Sequence, residues 1–203
     1  MAAVDQSQFN KSRLDKFLLV IDLPNSLKDI LTTDLADRKN TSIISDSLQF
    51  SVYGSIVPEV LVPEKALGYA GQSIKISSHV RPVYPNVNVN FTIDNQFNNY
   101  WTIYKWLDFL NDEKESVFNS KNIAKTPEVA SGFKTKKTLT PSDLYQADFS
   151  LYAKNEFDQD IVKFTYTNAF PVSLGKIDFN YRDPGEIETS FEFAFSQLLV
   201  ELI

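Results

Sequence analysis

The hydrophobic positions alternate with polar ones over several short stretches and adopt helical spacing over one. From Lys16 to Asp22 a short apolar run stops at Pro24 and reads as a strand. Leu27, Ile30, Leu31 and Leu35 then recur at helical spacing after Asn25 and Ser26, predicting a short capped helix over 25–40. Between Ser47 and Val57, Leu48, Phe50 and Val52 alternate with Gln49, Ser51 and Tyr53, the pattern of a strand with one buried face. The clearest period of two runs from Gln72 to Asp94. Ile74, Ile76 and Val80 alternate with Lys75, Ser77, His79 and Arg81, and Val87, Val89, Phe91 and Ile93 alternate with Asn86, Asn88, Asn90 and Thr92. Two half-buried strands joined by a turn at Pro82 and Pro85 are predicted. Asparagine is a poor strand former, so the outer face of the second strand needs a reason beyond propensity, either a wet uncharged lining or a ladder of side-chain contacts.

From Asp94 to Asn111 the period changes. Phe97, Trp101, Tyr104 and Leu107 form one stripe, with Tyr100, Ile103, Trp106 and Leu110 beside it, predicting the main helix, capped by Asp94 or Asn95. Lys114 to Thr140 is polar and rich in lysine and reads as a long loop. Strands are expected again over Ala147–Lys154, Ile161–Tyr166, Leu174–Tyr181 and Glu188–Leu202. Asn168-Ala169-Phe170-Pro171 breaks the pairing between the second and third of these, and Asp183-Pro184-Gly185 turns into the last. In that last strand Phe191, Phe193 and Phe195 share a face.

The chain has 203 residues, 43% of them apolar and 13% aromatic, enough to bury the core of one domain spanning 1–203. Its formal net charge of −6 argues against a phosphate-gripping surface, because nucleic-acid affinity rests on clustered Lys and Arg. It contains no cysteine, which removes disulfides, thiolate nucleophiles and cysteine-ligated metals. No basic, apolar leader stands at Met1–Leu19, and no run approaches the roughly 20 apolar residues of a membrane span. A soluble protein made in a cytoplasm is the expectation.

Candidate chemistry is sparse. The single His79 sits beside Lys75 and Arg81 without a second histidine or a carboxylate at ligand spacing, so a surface strand residue is expected there, and no metal or cofactor. There is no nucleophile elbow, P-loop or dinucleotide fingerprint. Asp178, Asp183, Glu186, Glu188 and Glu192 read as a solvated face; a β-sandwich glycosidase using Glu188 or Glu192 is the remote alternative. Lys134, Lys136 and Lys137 read as loop charge, and Trp101 and Trp106 as core packing. An enzyme is not expected.

Three segments together resemble the tail tube proteins of contractile-tailed bacteriophages. They are Val57–Asp94, the helix motif Tyr100-Trp101-x-x-Tyr104-Lys105-Trp106, and the ending Asn168-Ala169-Phe170-Pro171-x-x-x-Gly175-x-Ile177 with Phe191-x-Phe193-x-Phe195. The resemblance covers roughly 45–113 and 145–203. It implies a mainly β sandwich or barrel with one flanking helix, assembling into hexameric rings with a continuous inner β-barrel. The rings would stack into a tube through which the viral genome passes without specific binding. Sheath protein would lie outside, with baseplate and terminator proteins at the ends, in a virion tail assembled in the host cytoplasm. A phage-derived contractile injection system, or a tube-initiating baseplate paralogue, is the alternative setting.

By residue, the resemblance maps the hairpin that reaches into a neighbouring subunit or ring onto Leu61–Gln72, with Leu61, Val62, Pro63, Glu64, Lys65, Leu67, Gly68, Tyr69 and Gln72 as its contact residues. The lumen face is carried either by Lys75, Ser77, His79 and Arg81 or by Asn86, Asn88 and Asn90. The inserted segment 25–46 and the loop 114–140 are expected on the outer surface or the ring-stacking edge.

Overall fold

The computed structural model describes residues 12–24, 27–28, 31, 52–110, 145–182 and 185–203. Their elements are β1 (Phe17–Ile21), β2 (Val52–Ser55), β3 (Glu64–Tyr69), β4 (Gln72–Ser77), β5 (Val87–Thr92), α1 (Asn98–Leu110), β6 (Ala147–Lys154), β7 (Asp160–Leu174), β8 (Glu188–Ala194) and β9 (Gln197–Leu202). The expected mainly β architecture with a flanking helix is what forms.

Alternation decides which strands build the core. In β5, Val87, Val89 and Phe91 are buried and Asn88, Asn90 and Thr92 are half-buried on the other face. β8 repeats the pattern with Thr189, Phe191 and Phe193 inside. The two pair antiparallel from Val87↔Phe193 to Thr92↔Glu188, so their apolar faces coincide. The main sheet runs β1-β6-β7-β8-β5-β2, every pair antiparallel, and β9 adds to β7.

β7 gives this sheet its bend. Its first part pairs β9 from Val162↔Leu202 to Thr167↔Gln197, and its last part pairs β8 from Phe170↔Ala194 to Leu174↔Phe191. Between them Asn168 adopts φ 53°, a left-handed conformation that asparagine tolerates better than most side chains, and its N–H donates to Asp148 at 3.0 Å. Two half-sheets result. Sheet 1 is β1-β6-β7-β9 and sheet 2 is β7-β8-β5-β2. They close on an aromatic core, where Phe193 lies 4.7 Å from Phe149 and 5.3 Å from Tyr166, with Phe191 and Phe195 at 6.3 and 6.1 Å.

Two sequence expectations are corrected at this bend. Asn168–Pro171 does not interrupt the strand: β7 runs through it, and Pro171, paired with Phe193, stands at an irregularity in the pairing with β8, a place where proline is tolerated in a strand. Glu188–Leu202, in turn, is two strands, each serving a different half-sheet. The strand expected over Leu174–Tyr181 ends at Leu174. Beyond it Gly175 passes so close to β8 that its N–H reaches Ser190 O at 2.6 Å.

The other large correction concerns Gln72–Arg81. β4 pairs with β3, not with β5, from Glu64↔Ser77 to Tyr69↔Gln72, and the pair forms a sheet of its own with every residue exposed. Alternation cannot distinguish this amphipathic ribbon from a half-buried strand, since both show period two. His79 and Arg81 lie beyond β4 in a non-strand segment, and the φ of 56° at His79 takes it out of any ladder.

α1 covers the core edge. The Asp94 carboxylate accepts from the N–H groups of Asn98 (2.8 Å) and Gln96 (3.1 Å), the expected cap. Asn99 ties the helix start to the sheet by donating to Thr92 O at 2.8 Å. Ile103, Trp106 and Phe109 are buried, and Trp106 Nε1 donates to Tyr145 O at 2.8 Å. Of the two expected stripes, the one through Ile103 and Trp106 faces inward, while Tyr104 of the other is exposed. Leu27, Lys28 and Leu31 are helical, with both leucines buried and Pro24 O accepting from Leu27 and Lys28. The remainder of 25–46, residues 47–51 and the loop 114–140 lie outside the described residues.

Candidate functional site

The β3–β4 arm presents several exposed apolar side chains on one face. Directly opposed residues of an antiparallel pair share a face, so the register puts Lys65, Leu67 and Tyr69 beside Ile76, Ile74 and Gln72. Leu67 is 48% exposed and Tyr69 70%, with Ile74 and Ile76 also open. The opposite face is Glu64, Ala66, Gly68, Ser73, Lys75 and Ser77, where Lys75 Nζ meets Glu64 at 2.6 Å. Ala70 (φ 49°) and Gly71 (φ 80°) make the two-residue tip, both left-handed as a hairpin of this length requires. Leu61, Val62 and Pro63 lead into the arm and are exposed, and Pro63 O accepts from Ser78 N at 2.9 Å at its base.

All the expected contact residues therefore lie on or beside the arm, whose extent is 64–77. Ile74 and Ile76, read from sequence as core, belong to its apolar face. The signal that identifies them is the Ala-Gly pair at the tip, which fixes Leu67 opposite Ile74.

The outer face of sheet 2 is of a different kind. Asn88, Asn90 and Thr92 on β5 lie opposite Glu192, Ser190 and Glu188 on β8, and Ser173 of β7 lies opposite Glu192. Asn88 Nδ2 donates to Asn90 Oδ1 at 3.0 Å, the side-chain ladder that justifies asparagine on this strand. Tyr53 donates its hydroxyl to Glu188 at 3.1 Å; loss of solvent around the hydroxyl and the adjacent carboxylate both raise its pKa. The strand segments Val52–Ser55, Val87–Thr92, Phe170–Leu174 and Glu188–Ala194 contain no Lys or Arg. Sheet 1 differs, with Lys154 paired to Asp160 at 3.4 Å and Lys163 5.8 Å from the Tyr152 ring.

The two candidate lumen sets thus occupy unlike places. Asn88 and Asn90 stand on a continuous sheet face, with Asn86 exposed just before it. Lys75 and Ser77 are on the arm, and His79 and Arg81 follow it. Sequence reasoning on β5 alone missed that Glu188, Ser190 and Glu192 complete the asparagine face; their own alternation with Thr189, Phe191 and Phe193 carries that signal.

Among the described residues no group of three or more His, Cys, Asp or Glu is placed to hold a metal ion. Glu188 and Glu192, either of which the remote glycosidase reading would use, are four residues apart on one strand, about 13 Å along the backbone at about 3.3 Å per residue.

The fold is similar to that of chains in solved structures of contractile injection systems and of the anti-feeding prophage. A chain of the sheath–tube complex of an extracellular contractile injection system (PVC, extended state) aligns with a TM-score of 0.57 at 8% identity, covering 97% of this chain and 95% of that one. The tube-terminating cap of the anti-feeding prophage aligns at 0.58 and 12% identity, over 100% and 99% of the two chains. A chain of the anti-feeding prophage baseplate aligns at 0.53 and 10% identity, over 95% and 96%. At such identities these likenesses establish the fold. No curated protein matches by sequence. The family described as phage tail tube protein matches residues 12–201, nearly the whole chain, so the protein with this arm and this two-faced sheet belongs to the phage tail tube protein family.

Proposed function

We propose that the chain, as a single domain over 1–203, is the ring subunit of the inner tube of a contractile tail. Six copies close a ring, rings stack into the conduit for genome ejection, and sheath protein lies outside with baseplate and terminator proteins at the ends. It is a virion component assembled in the host cytoplasm, and it has no catalytic role. The observation that carries this reading is the outer face of sheet 2, where Asn88, Asn90, Ser173, Glu188, Ser190 and Glu192 are polar and the strands carry no Lys or Arg, flanked by the edge strands β2 and β7. Asn88, Asn90, Ser190, Glu188 and Glu192 line the lumen, and the set Lys75, Ser77, His79 and Arg81 does not.

Edge strands are hazards in a monomer and interfaces in a ring. Among the described residues β2 is short and pairs on one side only, and the one buried side-chain polar atom without a partner, Ser55 Oγ, lies on it. Joining β2 of each copy to β7 of the next extends sheet 2 around a ring. Four strands from each of six copies make a barrel of about 24 strands, about 48 Å across at about 4.8 Å spacing and about 40° tilt. Allowing about 5 Å of side chain on each wall leaves a bore of about 38 Å, wide enough for duplex DNA. Two glutamates per copy and a net charge of −6 per chain repel phosphate, so DNA slides instead of sticking.

Negative-stain electron microscopy of the purified protein over a range of concentrations, with light scattering for mass, tests the reading. Rings or hollow tubes with sixfold end views are expected; a monomer at every concentration would refute it. The inner tube of a phage-derived injection system is the second reading, favoured by the likeness to injection-system and prophage tube parts. Nucleic acid inside purified particles decides for the phage tail, and its absence for the injection system.

A further inference from the structure

The β3–β4 arm is a sheet of its own, and two legs, 56–63 and 78–86, carry it away from β2 and β5. Neither leg belongs to a strand. Connecting segments of this length without ladder bonds are ordinarily mobile, but the composition of these two works against mobility. Pro58, Pro63, Pro82 and Pro85, two to a leg, are four of the nine prolines in the chain, and neither leg contains glycine. Each proline ring fixes its own φ and drives the residue before it, Val57, Val62, Arg81 or Tyr84, toward extended backbone.

Both ends of the legs are also fixed. At the root, the buried Tyr166 donates its hydroxyl to Ile56 O at 3.2 Å, and the Tyr84 ring stacks on Phe195 at 5.1 Å. Tyr166 and Phe195 themselves pack edge to face at 5.1 Å, so one aromatic cluster holds both legs, and Pro58 is buried close by in sequence to Ile56. At the arm, Ser78 N donates to Pro63 O at 2.9 Å and ties the legs together. Ser77 Oγ and Ser78 Oγ accept from the N–H groups of His79 and Val80 at 3.1 and 3.4 Å, fixing the turn that the φ of 56° at His79 makes out of β4. Between these ties the legs stand around a cavity of about 140 Å³, with Leu61 on one and Arg81 and Val83 on the other.

We propose that the two legs form a braced proline strut, which holds the arm in a single orientation in the free subunit, before any neighbour is met. Two separated extended supports anchored on one core resist bending and twisting, which a single tether does not. Proline also removes N–H groups with which the legs could zip onto an edge strand of another chain, so the arm gains reach without a long pairing edge. An arm held in this way needs little further ordering on association, and that ordering is a cost which preorganisation removes. This last consequence rests on the tube reading above; the strut itself does not.

Electron–electron distance measurements on the free full-length subunit, at concentrations where light scattering gives a monomer, test the strut. The chain has no cysteine, so Tyr69→Cys at the arm tip and Glu201→Cys on β9 carry the only two nitroxide labels. A single narrow distance distribution is expected. Pro63→Gly combined with Pro82→Gly, both at exposed positions, keeps the circular dichroism spectrum and widens the distribution at least about twofold, because glycine restores the φ freedom that proline removes. Tyr84→Ala, which loosens one root, widens it too, and decides by the same measure if the glycine pair loses its spectrum. A broad distribution in the parent protein overturns the strut, and so does a width that these substitutions leave unchanged. Where tubes form, the glycine pair in the otherwise unaltered chain raises the concentration they require about tenfold. An unchanged threshold beside a widened distribution refutes the role in assembly and leaves the strut, whereas a parent protein that never forms tubes refutes the tube reading and leaves the strut to the distance measurement.

Discussion

Replacing Phe193 by alanine tests the account of the core most directly. Phe193 is fully buried and is the ring that both half-sheets share, with Phe149, Tyr166, Phe191 and Phe195 all between 4.7 and 6.3 Å. Truncation removes the transfer energy of the ring and leaves a void lined by groups that cannot collapse, because they stand on strands of two sheets pinned by the β7 bend. Buried Phe→Ala changes cost about 3–5 kcal/mol, and the loss of well-oriented ring pairs places this site near the upper end. With a urea m-value of about 2 kcal/mol/M, the midpoint falls by about 2 M, and the melting temperature falls by about 8–16 °C. The assay is urea unfolding followed by tryptophan fluorescence and far-UV circular dichroism, at concentrations low enough to exclude association. Phe179→Ala serves as control, since Phe179 is 76% exposed and its loss costs no more than about 0.5 kcal/mol. A loss below about 1 kcal/mol at Phe193, or equal losses at both positions, would refute the shared aromatic core.

Gly175→Ala brings a Cβ to 2.8 Å from Ser190 O and 2.9 Å from Thr189 Oγ1, forcing apart the Gly175–Ser190 hydrogen bond; it costs about 2 kcal/mol in the same assay, whereas Gly185→Ala, with open space around it, costs little. Burial raises the pKa of the Tyr166 hydroxyl above its unfolded value of about 10, so its contribution is complete below about pH 10 and is lost as pH rises past that point. Tyr166→Phe, which gives up only the 3.2 Å bond to Ile56 O, flattens the alkaline limb of a stability–pH profile; an unchanged limb contradicts the assignment. Leu67→Glu combined with Tyr69→Glu yields a folded monomer with an unaltered circular dichroism spectrum and no tubes, because both side chains lie on the exposed arm. Normal tubes from that variant exclude the arm from assembly.

Local patterns made much of this fold legible. The alternation of β5 and of Glu188–Phe193 follows from the pleat, which sends successive side chains to opposite faces whatever the partner strand. The Asp94 cap and the helical period after it are likewise decided within about a dozen residues, as is the end of β1 near Pro24. The asparagines of β5 were identifiable as a wet or laddered face, and the structure supplies the Asn88–Asn90 bond.

What the chain could not disclose by itself is which surface each pattern meets. Period two at Ile74 and Ile76 is the same for a core strand and for a free amphipathic arm, and only the pairing of β4 with β3 separates them. Pro171 reads as a strand breaker until it is seen paired with Phe193 at the register irregularity between β7 and β8. The split of Glu188–Leu202 into β8 and β9 depends on pairing with residues 30 to 40 positions earlier, and the meeting of Asn88 and Asn90 with Glu192 and Ser190 on one face on register between segments about a hundred residues apart. Sequence thus determined the local period, caps and turns, because those arise from neighbouring residues, while strand partners, the shared face and the exposed arm were decided only in three dimensions, by long-range pairing that local chemistry does not encode.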